Sequence, residues 1–261
     1  MKSQIQFNWI FVLVAGSIIL LFFVGFAIKY QDLQEKKQEI VFLNNFDRVL
    51  TNLQSSSFKT STSIDIPLDL NVDCNGFYIN ERHESINLFF SSNKLENRVY
   101  VWYYPFEHPF QTADFYFLVD DEITIDTNNP EIIEDLIYEM PETFKSKVKL
   151  GQGKEIDIQG DLNGGIVTID GEQYEYYGQG LLYGAVFSDD YGCLLNKVNL
   201  RFDGVIESYL NKINVLKKSG CNYNQIYSKL NALKMDKSYE LIQDIENLNQ
   251  DLASADCPVV F

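Results

Sequence analysis

From Trp9 to Ile28 the chain offers no charged position: twenty consecutive, almost wholly apolar residues, with Ile18-Ile19-Leu20-Leu21-Phe22-Phe23 at their centre. A helix rises about 1.5 Å per residue, so this run matches the roughly 30 Å hydrocarbon core of a bilayer while satisfying every backbone amide internally. The pattern predicts a short tail over 1–8 and a transmembrane helix over 9–28. A cleaved signal peptide would have a shorter apolar core and a small-x-small cleavage site. Here the run is longer, and Lys29-Tyr30-Gln31-Asp32 follows it. Retention as a signal anchor is the expectation. Beyond Lys29 the uniform pattern becomes periodic: Leu33, Ile40, Leu43, Phe46, Leu50 and Leu53 recur at helical spacing among Lys, Glu and Gln, with no Pro or Gly to break the helix. One helix of about 45 residues therefore continues as an amphipathic stalk over 29–54. The Ser/Thr-rich stretch 55–63 ends it as a linker.

From Ile64 the period drops to two. Ile64-Asp65-Ile66 and Leu68 to Asp73 alternate, Arg98 to Tyr104 and Asp114 to Val119 read as buried strands, and Ile156–Ile158, Ile166–Ile169 and Gln173–Tyr177 complete the set. Asp170-Gly171 marks a hairpin turn between the last two. One helix interrupts the strands. Asn128-Asn129-Pro130 opens it, with Asn expected to cap the free amides, Ile132, Ile133, Leu136 and Ile137 form its buried stripe, and Pro141 ends it. The result is an α+β (or α/β) sheet domain over 64–189. From Asp189-Asp190 the helical period returns through Leu195, Val198, Phe202, Val205, Tyr209, Ile213 and Leu216. Gly220 closes that stretch, and Ile226, Leu230, Leu233, Leu241, Ile245, Leu248 and Leu252 form a second. Residues 190–261 are thus expected to form a C-terminal helical hairpin, packed on itself or on the sheet.

Charge separates these parts. The chain carries a net −16. Residues 29–189 account for all of it, with 12 basic against 28 acidic side chains, while 190–261 is nearly balanced at 8 against 9. Such a surface repels phosphate backbones and anionic headgroups, so nucleic acid is excluded as a partner and the domain is expected to stand off from the bilayer that anchors it. Lys2 precedes the apolar run while Lys29, Lys36 and Lys37 follow it, so the positive-inside count does not favour a cytoplasmic N-terminus. Cysteine usage decides orientation. Cys74, Cys193, Cys221 and Cys257 all follow the anchor, none forms a C-x-x-C pair, and an even set without metal spacing reads as two disulfides outside the reducing cytosol.

Four cysteines permit three pairings. If one nearly continuous helix from Tyr223 to Ala253 answers the helix from Asp190 to Lys218, the spans are about 46 and 43 Å, and Cys257 returns beside Cys193. Cys221 then meets Cys74. A break near Asp236, where Lys237 interrupts the apolar stripe, would instead join Cys221 to Cys257 and Cys74 to Cys193. Because the apolar phase runs through this point almost unchanged, Cys193–Cys257 with Cys74–Cys221 is the expected map.

Candidate chemistry is sparse. His83 and His108 are the two histidines, and neither has metal-ligand spacing to a second donor. Asp120-Asp121-Glu122 are consecutive, whereas calcium loops need spaced oxygens. Asp161-Leu162-Asn163-Gly164-Gly165 begins like such a loop but places Ile166 where the turning glycine belongs. No P-loop, Rossmann or nucleophile-elbow motif occurs, so no catalytic residue, metal or cofactor is expected. Tyr100, Trp102 and Tyr104 share one strand face, which makes them a candidate binding platform for sugar rings or protein side chains. Aromatic rows more often form core, and Val99, Val101 and Tyr103 on the opposite face point to burial on both sides.

With Lys2, Ser3 and Gln4 at the start and Asn8 where the pilin family has Glu, the N-terminal helix resembles that of archaeal type IV pilins. That resemblance implies cleavage before Gln4 and polymerisation through the helix; Asn8 lacks the carboxylate which pairs with a neighbouring subunit's N-terminus. The whole chain resembles uncharacterised single-pass surface proteins of small-genome archaea, which share the anchor, a cysteine-bearing α/β ectodomain and a C-terminal Cys-Pro. This implies an extracellular domain and no known activity. The sequence thus leads to a membrane-anchored extracellular binding or structural protein of the cell envelope. Its partners would be the lipid bilayer and other envelope proteins or like subunits. A pilin-like subunit is the first alternative, and a surface enzyme with an unrecognised acidic site the second.

Overall fold

The computed structural model describes the backbone of residues 2–56, 59–66, 69–79, 82–84 and 87–261, and the side chains of these except 2–8, 10–11, 82–84 and 219. The chain divides into two units, 1–48 and 49–261. The first unit is helix throughout its described length. It belongs to α1 (Lys2–Gln54), 53 residues without a break. The helix already begins inside the expected tail 1–8, because no Gly or Pro there stops it. Over the apolar run the side chains are open to the surroundings, with Leu21 70% and Phe22 71% exposed. Ser17, one of the few polar residues there, turns its hydroxyl back to the Leu13 carbonyl at 2.8 Å. Leu33 and Ile40, expected in the stalk's apolar stripe, are exposed. By length and composition α1 is long and apolar enough to cross a membrane.

The second unit is a mixed helix and sheet body. Its first strands are β1 (Ser61–Asp65), β2 (Leu70–Asp73), β3 (Gly76–Tyr78), β4 (Arg82–Glu84), β5 (Leu88–Phe90), β6 (Lys94–Leu95), β7 (Arg98–Glu107) and β8 (Gln111–Val119). The expected linker 55–63 is therefore shorter, since Ser61 to Ser63 already pair with Trp102 to Tyr100 of β7. The long β7–β8 hairpin carries a four-stranded sheet in the order β1-β7-β8-β5, and β2, β3, β4 and β6 form a small second sheet. A ring contact joins them, Phe77 of β3 lying edge-on to Phe89 of β5 at 5.6 Å. Leu50 and Leu53, in the last turn of α1, are also buried.

The chain continues through β9 (Ile123–Asp126), α2 (Pro130–Glu139), α3 (Glu142–Lys145), β10 (Val148–Leu150), β11 (Lys154–Gly160), β12 (Gly164–Ile169) and β13 (Glu172–Tyr177). These strands form a third sheet in the order β10-β9-β11-β12-β13. β10 and β11 run parallel to β9 on its two sides. The chain crosses over through Gly151-Gln152-Gly153, so close that a Cβ on Gly153 would sit 2.1 Å from the Thr124 carbonyl oxygen. Asp170 (φ 49°) and Gly171 (φ 87°) make the expected hairpin turn, both central residues having the positive φ of a type I′ turn. Asn129 does not cap α2. Its amide donates to the Ile158 carbonyl at 2.7 Å, tying the helix start to the sheet.

The hydrophobic pattern gave no sign of α4 (Gln179–Phe187), in which every residue from Gly180 to Phe187 is buried. A helix apolar on all sides has no stripe for periodicity to detect. It packs against β8 of the first sheet and β9, β12 and β13 of the third. Gly180 and Gly184 permit the approach: a Cβ at Gly180 would meet Tyr104 at 2.8 Å, and one at Gly184 would meet the Phe90 ring at 2.6 Å. Gly184→Val should therefore lower stability by about 2–3 kcal/mol through overpacking. Gly204→Ala, on an exposed helical stretch with nothing among the described residues within 4 Å of the new methyl, should raise it by about 0.5–1 kcal/mol. Urea denaturation of the detergent-solubilised chain measures both.

Last come α5 (Tyr191–Leu216), α6 (Asn224–Leu233) and α7 (Tyr239–Ser254). The single answering helix expected over 223–253 is two helices. Asp236 Oδ1 accepts the Ser238 amide at 3.0 Å, and Ser238 is extended (ψ 144°) where α7 starts. Lys237 sits where the stripe called for an apolar residue and pairs with Asp203 at 3.7 Å. Beyond this break α7 returns along α6, with Lys229 and Asp244 paired at 2.7 Å. The expected sheet domain and helical segment share one hydrophobic core, in which Phe202, Ile206 and Ile213 of α5 join Trp102, Phe117 and Val167 of the sheets.

Candidate functional site

Five sequence-derived candidates can now be placed. The Tyr100–Trp102–Tyr104 platform is not a surface. Trp102 has no exposed area and is wedged between Phe117 (4.9 Å), Tyr183 of α4 (4.6 Å) and Phe144 of α3 (5.5 Å). Tyr100 and Tyr104 are half-buried against the same core. The helix that covers this face, α4, is the element periodicity could not reveal.

The cysteines form two disulfides, but not in the expected map. Cys74 joins Cys193 (Cα–Cα 5.9 Å) and Cys221 joins Cys257 (6.1 Å), in place of Cys193–Cys257 and Cys74–Cys221. The break at 234–238 is the cause: once α7 folds back, its end returns to the start of α6, beside Cys221. Cys74, in the turn after β2, then bridges the small sheet to the first turn of α5.

The acidic run is internally engaged. Asp120 accepts the amides of Glu96 (2.7 Å) and Asp121 (2.8 Å), its carbonyl takes the Lys147 ammonium, and Glu122 pairs with Lys149 at 2.6 Å. Lys149 holds the Glu122 carboxyl below its ordinary range. Asp161 likewise spends its carboxylate on the amides of Asn163 and Gly164, closing the turn between β11 and β12. Among the described residues no three His, Cys, Asp or Glu side chains gather to hold a metal. A shallow groove on the α6–α7 surface is lined by Gln225, Ser228, Lys229, Asp244, Asn247 and Asp251, with no nucleophile–base pair among them.

The His83 side chain lies outside the described residues. His108 stacks on Phe106 (6.0 Å), Tyr177 (6.1 Å) and Tyr239 (6.2 Å), and its Nε2 is buried without a hydrogen-bond partner among the described residues. Burial disfavours the imidazolium and lowers its pKa to about 4. In the unfolded chain the same group titrates near 6.5. Between these values the unfolded state binds the extra proton, so His108 favours folding fully above pH 6.5 and loses that contribution as pH falls toward 4. The loss is about 3 kcal/mol. His108→Phe should flatten the stability profile across that window relative to the parent, measured by urea denaturation at pH 7.0, 5.5 and 4.0. Burial similarly lowers the pKa of Lys154, whose ammonium donates to the Ser188 carbonyl and ties β11 to the end of α4.

Sequence reading missed one further cluster. Asn249 occupies a buried position in the α7 stripe Ile242, Ile245, Asn249, Leu252, and its amide grips the backbone of Val260 and Phe261. A polar residue on an apolar face was the available signal. Comparisons with protein-family models, curated proteins and solved structures find no match.

Proposed function

We propose that this chain is a membrane-anchored binding or structural protein of the cell envelope, with residues 49–261 on the extracellular side and no catalytic role. The observation that carries the reading is the pairing of a lipid-compatible helix with a domain stapled by two disulfides. The apolar side chains of α1 from Val12 to Ile28 are largely exposed, as a lipid-facing surface would be. Trp9 and Tyr30 flank the run about 32 Å apart along the helix, the spacing of interfacial aromatic anchors. Disulfides persist outside the cytosol, and both lie beyond the anchor. The acidic surface keeps the domain off anionic headgroups and leaves it free to meet other envelope proteins or like subunits.

A second reading, a pilin-like subunit, is favoured by the unbroken helix that runs from the apolar stretch to the folded unit. Alkaline extraction of membranes, with mass spectrometry of the mature N-terminus, separates the cases. The anchor reading predicts a chain in the membrane pellet beginning at Met1 or Lys2. A start at Gln4 in sheared filaments would support the pilin reading, and a soluble chain starting beyond Ile28 would overturn both.

A further inference from the structure

Residues 258–261 have no regular secondary structure, yet Val260 has no exposed area. Side chains from three directions read this segment's backbone. The Tyr223 hydroxyl donates to the Pro258 carbonyl at 2.8 Å, and the Lys212 ammonium donates to the Val260 carbonyl at 2.6 Å. Asn249 completes the clamp: its Oδ1 accepts the Val260 amide at 2.7 Å and the Phe261 amide at 3.4 Å, while its Nδ2 donates to the Phe261 carbonyl at 2.7 Å. A side-chain amide used this way stands in for a neighbouring β-strand, pairing with main chain rather than side chain. At the far end of the segment Phe261 packs against Phe110 (5.6 Å) and Tyr209 (5.6 Å).

We propose that the cleft formed by Lys212, Tyr223, Asn249, Phe110 and Tyr209 is a recognition groove for an extended apolar peptide, that Pro258–Phe261 is its resident ligand in cis, and that the Cys221–Cys257 disulfide is the latch holding it there. Cys257 directly precedes the segment, and its bond to Cys221, two residues from Tyr223, pins the segment at the mouth of the groove. That tether gives the ligand a high effective concentration with no contact of its own. A dithiol opens the latch: its two sulfurs join, and the two electrons and two protons released convert the cystine to two thiols. The segment then hangs from the end of α7 through Asp256, the left-handed residue (φ 54°) at which the chain leaves the helix.

Hydrogen exchange on the full chain carrying Cys221→Ser and Cys257→Ser, with Cys74–Cys193 intact, tests the latch. The Val260 and Phe261 amides should exchange at least about tenfold faster than in the parent, while α5 and β8 keep their protection. Unchanged exchange at 260 and 261, or equal loss of protection throughout α5, α6 and α7, would overturn the proposal. A second chain keeps the disulfide but vacates the groove by ending at Cys257, without residues 258–261. Fluorescent acetyl-Pro-Val-Val-Phe-amide at about millimolar concentration should bind it saturably, and the parent at least about tenfold more weakly. Equal binding to both, or to neither, would remove the recognition groove.

Discussion

Trp102→Ala should lower the unfolding free energy by about 3–5 kcal/mol, among the largest effects available to a single substitution in this chain. Trp102 has no exposed area and touches rings from three elements, Phe117 in β8, Phe144 in α3 and Tyr183 in α4. Removing the indole would open a cavity between rigid aromatic neighbours that cannot collapse into it. Tyr100→Ala, at a half-buried site on the same strand face, should cost distinctly less. Were the three aromatics an external platform, Trp102→Ala would leave stability unchanged and affect only binding. Chemical denaturation distinguishes these outcomes.

Removing the Cys74–Cys193 bond is the second large effect. It closes a loop with a sequence separation of 119, against 36 for Cys221–Cys257. On loop entropy alone these stabilise by about 5 and 4 kcal/mol. The longer one also has a local task. β2, β3, β4 and β6 are two to four residues each, too short to hold a sheet independently, and Cys74 ties them to α5. Replacing both Cys74 and Cys193 by Ser should lower the melting temperature by about 10–20 °C. Protease susceptibility should rise first in residues 70–95. A fall of less than about 2 °C would show that the bond carries no such load.

The parts of the fold legible in the sequence are those with a single dominant period. The apolar run and its helical continuation, the strands that became β7 and β8, the Asp170-Gly171 turn and the start of α5 are of this kind. What escaped had competing signals or none. α4 is apolar on every side, so nothing separates it from the strands around it, and the close approach of its glycines to Phe90 and Tyr104 is a tertiary fact with no local signal. The break at 234–238 hung on Lys237 alone, because the stripes of α6 and α7 remain nearly in phase across it. The disulfide map follows from that break and shifted with it. The Asn249 clamp needed a tertiary partner, since a polar residue on an apolar stripe announces a buried hydrogen bond without saying to what. The candidate platform failed for the reason that hid α4: the sequence shows which residues share a face but not what covers it.

Protease treatment of intact cells expressing the chain tests the central claim most directly, using antibodies to an N-terminal tag and to the second unit. An envelope protein anchored by its first helix should lose residues beyond Lys29 and leave a short membrane-protected fragment, while a cytosolic marker stays whole. Full protection of residues 49–261 until the membrane is permeabilised would place the domain in the cytosol and contradict the account.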